Sequence, residues 1–313
     1  MKTWHLVIDV AQCEDCNNCS LACKDEHVDN DWPGYSCSQP RHGHRWMDVV
    51  RHERGQFPLI DVAYRPTTCM QCQNAPCTKA SDAVERRKDG IVIINPDKAK
   101  GQKELVKACP YNAIWWNEEQ NVAQKCTLCA HLLDDGWTKP RCVQACPTGA
   151  LKAMLVEERE MARIVAAERL EVLQPELNTQ PRVYYKNLYR FSDCFIGGTV
   201  EVNNEGTIDC AEGAVVTLYQ GQTRLAEAVT DNYGDFKFDR LAKNTGDYSV
   251  VIELPGYGRQ TVPVPALVAS ISLVPIRFEM PPDEFVRASI ETADSELDNA
   301  EQSDDRVSKL VGL

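Results

Sequence analysis

The chain has 313 residues, 43% of them hydrophobic, and a formal net charge of −12, so two or three domains are expected. No apolar run is long enough for a transmembrane helix, and no basic face suggests nucleic-acid binding. The N-terminal residues MKTWHLVIDVAQC lack the features of a signal peptide. We therefore expect a cytoplasmic protein, unless a bound partner carries an export signal for both.

Twelve of the fifteen cysteines fall into four repeats with the spacing of bacterial ferredoxins. In chain order the repeats are Cys13-x2-Cys16-x2-Cys19-x3-Cys23, Cys69-x2-Cys72-x4-Cys77, Cys109-Pro110 alone, and Cys126-x2-Cys129 with Cys142-x3-Cys146-Pro147. Thiolates at this spacing bind cubane iron–sulfur clusters. The pattern therefore predicts a chain that carries electrons.

The ligands can be sorted because the fourth cysteine of a ferredoxin repeat ligates the cluster of the paired repeat. We pair the first repeat with the fourth and the second with the third. This predicts three [4Fe–4S] clusters: cluster A with Cys13, Cys16, Cys19 and Cys146; cluster B with Cys126, Cys129, Cys142 and Cys23; and cluster C with Cys69, Cys72, Cys77 and Cys109.

A fourth cluster would need ligands at four further positions, and none of them is a cysteine. Ser81 stands where the second repeat would have its fourth ligand. Counting back from Cys109 in the third repeat gives Leu105, Gln102 and Ala99. All four missing ligands belong to one site, so we expect a vestigial site filled by side chains.

Zinc is the alternative to iron, because paired CxxC elements also bind zinc with four cysteines per ion. Three thiols within seven residues, followed by a fourth, fit a cubane better than a zinc site. Cys37, Cys194 and Cys210 fall outside the repeats and are expected to be small buried residues without a role.

The remaining pattern predicts an α+β fold with four regions. Residues 1–150 form a tandem ferredoxin-like cluster domain, with an insertion at about 24–68 and a hairpin turning at Asp89-Gly90. Residues 151–196 form a helical and extended connector, with helical periodicity over 153–172. Residues 197–280 contain seven short β-rich runs, which predict an all-β sandwich. Residues 281–313 form an acidic tail, within which 283–305 carry nine acidic residues and one arginine.

The cysteine runs resemble those of the iron–sulfur subunits of molybdopterin oxidoreductases in the dimethyl-sulfoxide-reductase family, which typically hold four clusters. The phrases CEDCNNC, WPGY, HRWM, RPTTCMQCQNAPC, DGIVIINPDKAKGQKEL, EQNVAQKCTLCAHLLDD and PRVYYKNLYRF more closely resemble small subunits of pyrogallol–phloroglucinol transhydroxylases and resorcinol hydroxylases. The segment VTDNYGDFKF at 229–238 resembles a transthyretin-like or carboxypeptidase-regulatory β-domain.

These resemblances imply an electron-transfer subunit with three [4Fe–4S] clusters. They also imply a large catalytic partner that carries molybdenum bis-molybdopterin guanine dinucleotide and acts on polyhydroxylated aromatics, in a heterodimer or a multiple of it. The active site would lie on that partner. Two alternatives stay open: service to another oxidoreductase of the family, or clusters that are mainly architectural beside a β-sandwich used for assembly.

Overall fold

The computed structural model describes residues 1–279, so the acidic tail predicted at 281–313 lies outside the described residues. The chain divides into two compact units. The first unit comprises residues 1–53 and 62–191, and the second comprises residues 54–61 and the described residues from 192 onward. No helix within residues 1–279 is both long enough and apolar enough to span a membrane.

Short elements separated by loops make up the part of the chain before residue 192. The strands are β1 (Lys2–Asp9), β2 (Met47–Gln56), β3 (Leu59–Thr68), β4 (Val84–Arg86), β5 (Val92–Ile94), β6 (Trp115–Asn117), β7 (Val122–Gln124), β8 (Leu151–Glu157) and β9 (Val183–Lys186). The helices are α1 (Asn18–His27), α2 (Pro76–Ala80), α3 (Ala130–Asp134), α4 (Arg141–Gln144), α5 (Glu158–Glu168) and α6 (Tyr189–Ser192), with 3₁₀ helices at Lys103–Ala108 and Pro175–Leu177.

Strand β1 is the centre of the main sheet of the first unit. It pairs antiparallel with β8 and parallel with β9. Its sequence KTWHLVID is buried over six consecutive residues, as expected of a strand covered on both faces. Leu6 and Ile8 join Tyr185 of β9 in the main hydrophobic cluster, which also contains most of the buried cysteines. The cysteine loops are therefore built onto one continuous core.

The helix predicted over 153–172 is wrong in its first part. Residues 151–157 form strand β8, which pairs with seven residues of β1, and the helix α5 begins only at Glu158. The partner strand β1 lies about 150 residues away in the sequence, so the periodicity of residues 153–172 cannot reveal the pairing. The pairing overrides the weak helical preference of residues 151–157. Glu158 and Glu160 lie in the first turn of α5, where carboxylates stabilise the N-terminal end of the dipole.

Two small hairpins lie beside the cluster loops. In the first, β4 pairs with β5, and Gly90 takes a φ of 87° in the turn predicted at Asp89-Gly90. In the second, β6 pairs with β7. The inner side chains of β5 and β7 are fully covered, including Val92, Ile94 and Val122. These side chains belong to the main hydrophobic cluster and so anchor the loops of the second and third cysteine repeats to it.

The second unit is mostly β-structure in two sheets. Its strands are β10 (Cys194–Asn204), β11 (Thr207–Cys210), β12 (Val215–Gln220), β13 (Thr223–Val229), β14 (Asp235–Leu241), β15 (Tyr248–Leu254), β16 (Gly258–Val264), β17 (Ile271–Ser272) and β18 (Ile276–Glu279). One sheet has β10 between β11 and β14, with β17 and β18 also pairing with β10. The other has the order β13-β12-β15-β16.

The two sheets share a core of alternating apolar residues, such as Phe236 and Phe238 on β14. The structure departs from the seven expected runs in two places. Strand β11 is additional to them, because its four residues are all exposed and form no apolar pattern. The last expected run, 270–278, is divided between β17 and β18, which pair with different parts of β10.

Candidate iron–sulfur centres

The four cysteines predicted for cluster A line one cavity of the first unit, here called cavity A. Cys13, Cys16 and Cys19 come from the loop before α1 and its first turn, and Cys146 follows α4. About 300 Å³ of the cavity is free of protein atoms. Cys19 is buried but Cys16 is exposed, so cavity A opens to solvent in this chain.

The four cysteines predicted for cluster C line a second cavity, here called cavity C. Cys69 and Cys72 follow β3, Cys77 lies in α2, and Cys109 follows the 3₁₀ helix at Lys103–Ala108. About 340 Å³ is free of protein atoms. Three of the four cysteines are buried, and the side chain of Lys125 also lines the cavity. The cysteines of cavity C are therefore more buried than those of cavity A.

The four cysteines predicted for cluster B form a third group, here called set B. Burial first, and then the neighbouring Cys126 and Cys129, raise the pKa of Cys23 well above the usual thiol value. Burial and then Cys129, Cys126 and Cys23 raise the pKa of Cys142 in the same way. All four residues are buried. Helices α1 and α4, which carry Cys23 and Cys142, pack against each other.

Set B has a neighbour in each of the two cavities. Beyond burial and the cysteines of its own set, Cys19 of cavity A also raises the pKa of Cys142. Burial and then Cys69 of cavity C raise the pKa of Cys126. Set B therefore has thiols close to those of both cavities.

The first CxxC loop of the first, second and fourth repeats makes the same backbone turn. The residue before the second cysteine has a left-handed conformation in all three loops, with φ values of 56° at Asp15, 47° at Gln71 and 53° at Leu128. This conformation is uncommon outside glycine, so three occurrences at one position of the repeat indicate a shared loop geometry. The turn directs backbone N–H groups at sulfur: the Leu128 N–H donates to Cys126 Sγ at 3.3 Å.

Other donors also reach the sulfur atoms. The Ala113 N–H donates to Cys109 Sγ at 3.4 Å, and the Gln39 side-chain amide donates to Cys23 Sγ at 3.7 Å. Neutral thiols are weak acceptors, whereas cluster thiolates accept such hydrogen bonds readily, and these bonds tune cluster potentials. The donors at set B and cavity C therefore fit a cluster better than they fit free thiols.

The four positions of the missing cluster lie at a continuous contact between the second and third repeats. The Ser81 hydroxyl donates to the Gln102 side-chain oxygen at 2.6 Å. Ala99 and Leu105 are completely buried in the main core. Gly101 precedes Gln102 as Asp15 precedes Cys16, and it also has a positive φ, of 77°. The third repeat therefore keeps the turn of a CxxC loop without its cysteines.

Burial raises the pKa of several candidate ligands and so keeps them protonated when no metal is bound. It raises the pKa of Cys19, Cys72 and Cys129 to about 12 and that of Cys77 to about 11. Burial also acts to raise the pKa of Cys146, but hydrogen bonds from the Leu151 N–H and the Thr148 hydroxyl lower it overall. Iron–sulfur clusters bind thiolates, so assembly at these sites would release protons.

Some residues at these sites were not predicted from the sequence. His27 at the end of α1 and Gln39 in the loop after it contact set B, and His27 Nε2 lies 4.0 Å from Cys129 Sγ. Burial lowers the pKa of His27 to about 3, so its ring is neutral. In the sequence, Lys125 stands out only because it precedes Cys126. Its sequence position does not reveal that its side chain is buried at the wall of cavity C.

The cysteines outside the repeats line neither cavity A nor cavity C, and Cys37 is partly buried. Cys194 is buried in the second unit as expected, but Cys210 is exposed on β11, so that expectation was wrong for Cys210. Within residues 1–279, no three His, Cys, Asp or Glu side chains are arranged to share one metal ion. A cubane offers a separate iron to each thiolate, so its ligands lie farther apart than those of a single ion.

Comparison with known proteins places these features in a family. Residues 60–156 match the family model described as a 4Fe-4S dicluster domain, a range that includes all of the cysteines of cavity C. Over 260 residues the chain is 51% identical to the pyrogallol hydroxytransferase small subunit of Pelobacter acidigallici, covering 82% of this chain and 92% of that one. The chain belongs to the family of pyrogallol hydroxytransferase small subunits.

Membership in this family confirms the sequence-based prediction of an iron–sulfur electron-transfer subunit. More distant relatives have the same kind of role in other reductases. The arsenate respiratory reductase iron–sulfur subunit of a Shewanella species is 28% identical over 232 residues, covering 58% of this chain and 94% of that one. The thiosulfate reductase electron transfer subunit of Salmonella typhi is 32% identical over 165 residues, covering 52% and 81%.

The family resemblance predicted for the second unit is not tested by these relatives. A 5-hydroxyisourate hydrolase from Klebsiella pneumoniae is 19% identical, with 28% of this chain and 91% of that chain covered and a TM-score of 0.24. That similarity is too low to identify a fold. The second unit is mostly β-structure, as predicted, and its transthyretin-like character stays a prediction.

Proposed function

We propose that this chain binds three [4Fe–4S] clusters and exchanges electrons with a large catalytic subunit. Cavity A, set B and cavity C would each hold one cluster through the four cysteines already assigned. The observation that carries this proposal is the completeness of three groups of four thiols beside a fourth position closed by the Ser81–Gln102 hydrogen bond. The sulfur-directed N–H groups of Leu128 and Ala113 support it.

The clusters would form a short wire. Neighbouring thiols connect cavity A to set B through Cys19 and Cys142, and set B to cavity C through Cys126 and Cys69. Beyond cavity C, Ala99 and Leu105 occupy positions that would ligate a fourth cluster in a longer wire. We therefore propose that electrons enter and leave through cavity A, where Cys16 is exposed, and that cluster C is the inner end.

The partner would be a large molybdopterin-binding subunit, in a heterodimer or a multiple of it. The 51% identity to a pyrogallol hydroxytransferase small subunit supports a polyhydroxylated aromatic as substrate. Molybdenum bis-molybdopterin guanine dinucleotide on the partner would supply oxygen-atom chemistry. This chain would hold no substrate, and its own residues would position the clusters and set their potentials. We also propose a cytoplasmic location for the complex.

The same identity favours transhydroxylation over net hydroxylation. A transhydroxylase moves a hydroxyl group from one aromatic ring to another without net loss of electrons, whereas a hydroxylase must export two. A wire that ends at cavity C suits the first case, because a cluster with no onward neighbour can store an electron and return it. The clusters would then act as a reversible reservoir for the partner.

The experiment is reduction of the clusters by substrate in the intact anaerobic complex. We expect rapid-freeze electron paramagnetic resonance to show reduced clusters within the turnover time after addition of pyrogallol and a tetrahydroxybenzene as hydroxyl donor, and reoxidation when substrate is exhausted. The same assay with resorcinol and an external acceptor tests the hydroxylase alternative. Clusters that stay oxidised throughout turnover would refute electron exchange and favour an architectural role.

A further inference from the structure

Lys125 is a basic side chain buried at the wall of cavity C. It is 2% exposed, and it precedes Cys126 of set B in the sequence. Its ammonium group donates to the backbone oxygens of Val92 and Cys126, the latter at 3.0 Å. The same side chain lines the cavity together with Cys69, Cys72, Cys77 and Cys109. The cation therefore lies at the wall of cavity C and is hydrogen-bonded to the backbone of Cys126 in set B.

Nothing in the described lining of the cavity neutralises this charge. Among the described residues that line cavity C there is no aspartate or glutamate. Two carbonyl dipoles satisfy two of the three N–H donors but leave the net charge in place. Burying an ammonium group without a negative partner is strongly unfavourable, so a negatively charged neighbour is expected. The thiols of cavity C are the remaining source of negative charge.

A cluster would provide that charge. A cubane with four thiolate ligands carries net negative charge, and its reduction adds one more. A nearby cation lowers the energy of the reduced form more than that of the oxidised form, and it acts strongly because little water screens it. After burial, Lys125 is the main charged group acting on the pKa of Cys77, which it lowers.

We propose that Lys125 is the internal counter-charge of cluster C and raises its reduction potential above that of cluster A. This inference rests on the proposed assignment of cluster C. The lining of cavity A contains one charged side chain besides its cysteines among the described residues, the exposed carboxylate Glu14, which has the opposite effect. The burial of cavity C would by itself lower the potential, and Lys125 offsets it. Electrons would then collect at the inner end of the wire.

The test is a potentiometric titration of the intact complex followed by electron paramagnetic resonance. Lys125→Gln removes the charge but keeps an amide that can donate to Val92 O and Cys126 O, and Lys125→Arg keeps the charge. Lys107→Gln is the matched control, because Lys107 is exposed and lies two residues before Cys109. The signal of cluster C is the one missing from Cys109→Ala.

We expect Lys125→Gln to lower the equilibrium constant for reduction of cluster C at least tenfold, about 59 mV for one electron. Lys125→Arg and Lys107→Gln should keep the wild-type potential, and cluster A should be unchanged in all three. Loss of cluster C in Lys125→Gln with retention in Lys125→Arg would also support the need for charge. A wild-type potential in Lys125→Gln, or equal damage in the glutamine and arginine variants, would overturn the inference.

The titration distinguishes a failure of the Lys125 proposal from a failure of the cluster assignment. If the wild-type complex shows no signal that depends on Cys109, the cluster assignment itself is wrong. If that signal is present and insensitive to the charge of Lys125, the assignment stands and only the role of Lys125 fails.

Discussion

The hydroxyl of Ser81 donates a 2.6 Å hydrogen bond to the side-chain oxygen of Gln102, joining two positions at which a fourth cluster would need ligands. Gln102 in turn donates to Lys98 O at 2.9 Å, and the Ala83 N–H donates to Ser81 Oγ. Each polar group at this contact therefore has a protein partner. The site is closed by hydrogen bonds and by the packing of Ala99 and Leu105.

Ser81→Ala tests whether this position is structural. The variant should keep all of its iron, because no cluster depends on Ser81, while losing about 1 kcal/mol of stability with the hydrogen bond. Iron analysis and thermal unfolding measure the two effects. A lowered iron content would mean that the Ser81 oxygen ligates a cluster.

Cys109→Ala tests the sorting of the ligands. Cys109 belongs to cavity C, so its removal should abolish cluster C and leave the signals of clusters A and B in place. Cys37→Ala is the matched control, since Cys37 is a partly buried cysteine outside the repeats, and it should keep all iron. Equal loss of the signal from cluster A in Cys109→Ala would refute the pairing of the second and third repeats.

The cysteine groups could be predicted from the sequence because ligand spacing is a local chemical requirement. The pairing of repeats then brought distant residues together, as with Cys23 and Cys142. Strand β8 could not be predicted, since its partner β1 is at the other end of the domain and its own residues suit a helix equally well. The buried position of Lys125 was hidden for the same reason: it depends on tertiary packing around cavity C.

The second unit shows a similar division. Strand β14 was predicted as a β-rich run between turn residues, and the structure shows Phe236 and Phe238 alternating with polar residues, as a two-sheet core requires. Strand β11 lacks such a pattern because its residues are exposed. The sequence feature that could have revealed β11 is the Glu205-Gly206 pair before it. In the structure both residues take positive φ values, 53° and 96°, as a two-residue hairpin loop requires.

Gly101→Ala tests whether the third repeat keeps a CxxC-like turn. A Cβ added at Gly101 would meet no atom within 4 Å, so any loss of stability must come from the backbone φ of 77°. We expect a loss of about 1 kcal/mol for alanine and less for Gly101→Asn, since asparagine tolerates this conformation better. Thermal unfolding of the two variants measures the difference. Equal stability of the alanine variant and wild type would contradict the expected strain.

His5 on β1 should make stability depend on pH. Its Nε2 lies 2.9 Å from Thr3 Oγ1, which donates to Glu158. Burial lowers the pKa of His5 from 6.5 to about 4, with Glu158 opposing and Arg182 assisting. Below pH 6.5 His5 therefore binds a proton in the unfolded chain but not in the folded chain. The contribution of His5 to the free energy of unfolding is complete above pH 6.5 and is lost as the pH falls toward 4.

The matched comparison for this prediction is His5→Gln, which removes the titrating group and keeps a side-chain donor for Thr3. Between about pH 7 and about pH 5.5 the midpoint of thermal unfolding should fall further for the wild type than for the variant. Using the difference between the two proteins cancels the acid sensitivity of the clusters. Parallel curves for the two proteins would show that His5 does not titrate as described.

The number of clusters in the chain can be determined from its mass, by native mass spectrometry of protein purified without oxygen. We expect a mass greater than that of the polypeptide by three [4Fe–4S] clusters, with that increment reduced to two clusters in Cys109→Ala. An increment of two or four clusters in the wild-type chain, or zinc ions in place of iron and sulfide, would contradict the three complete sets of four thiolate ligands.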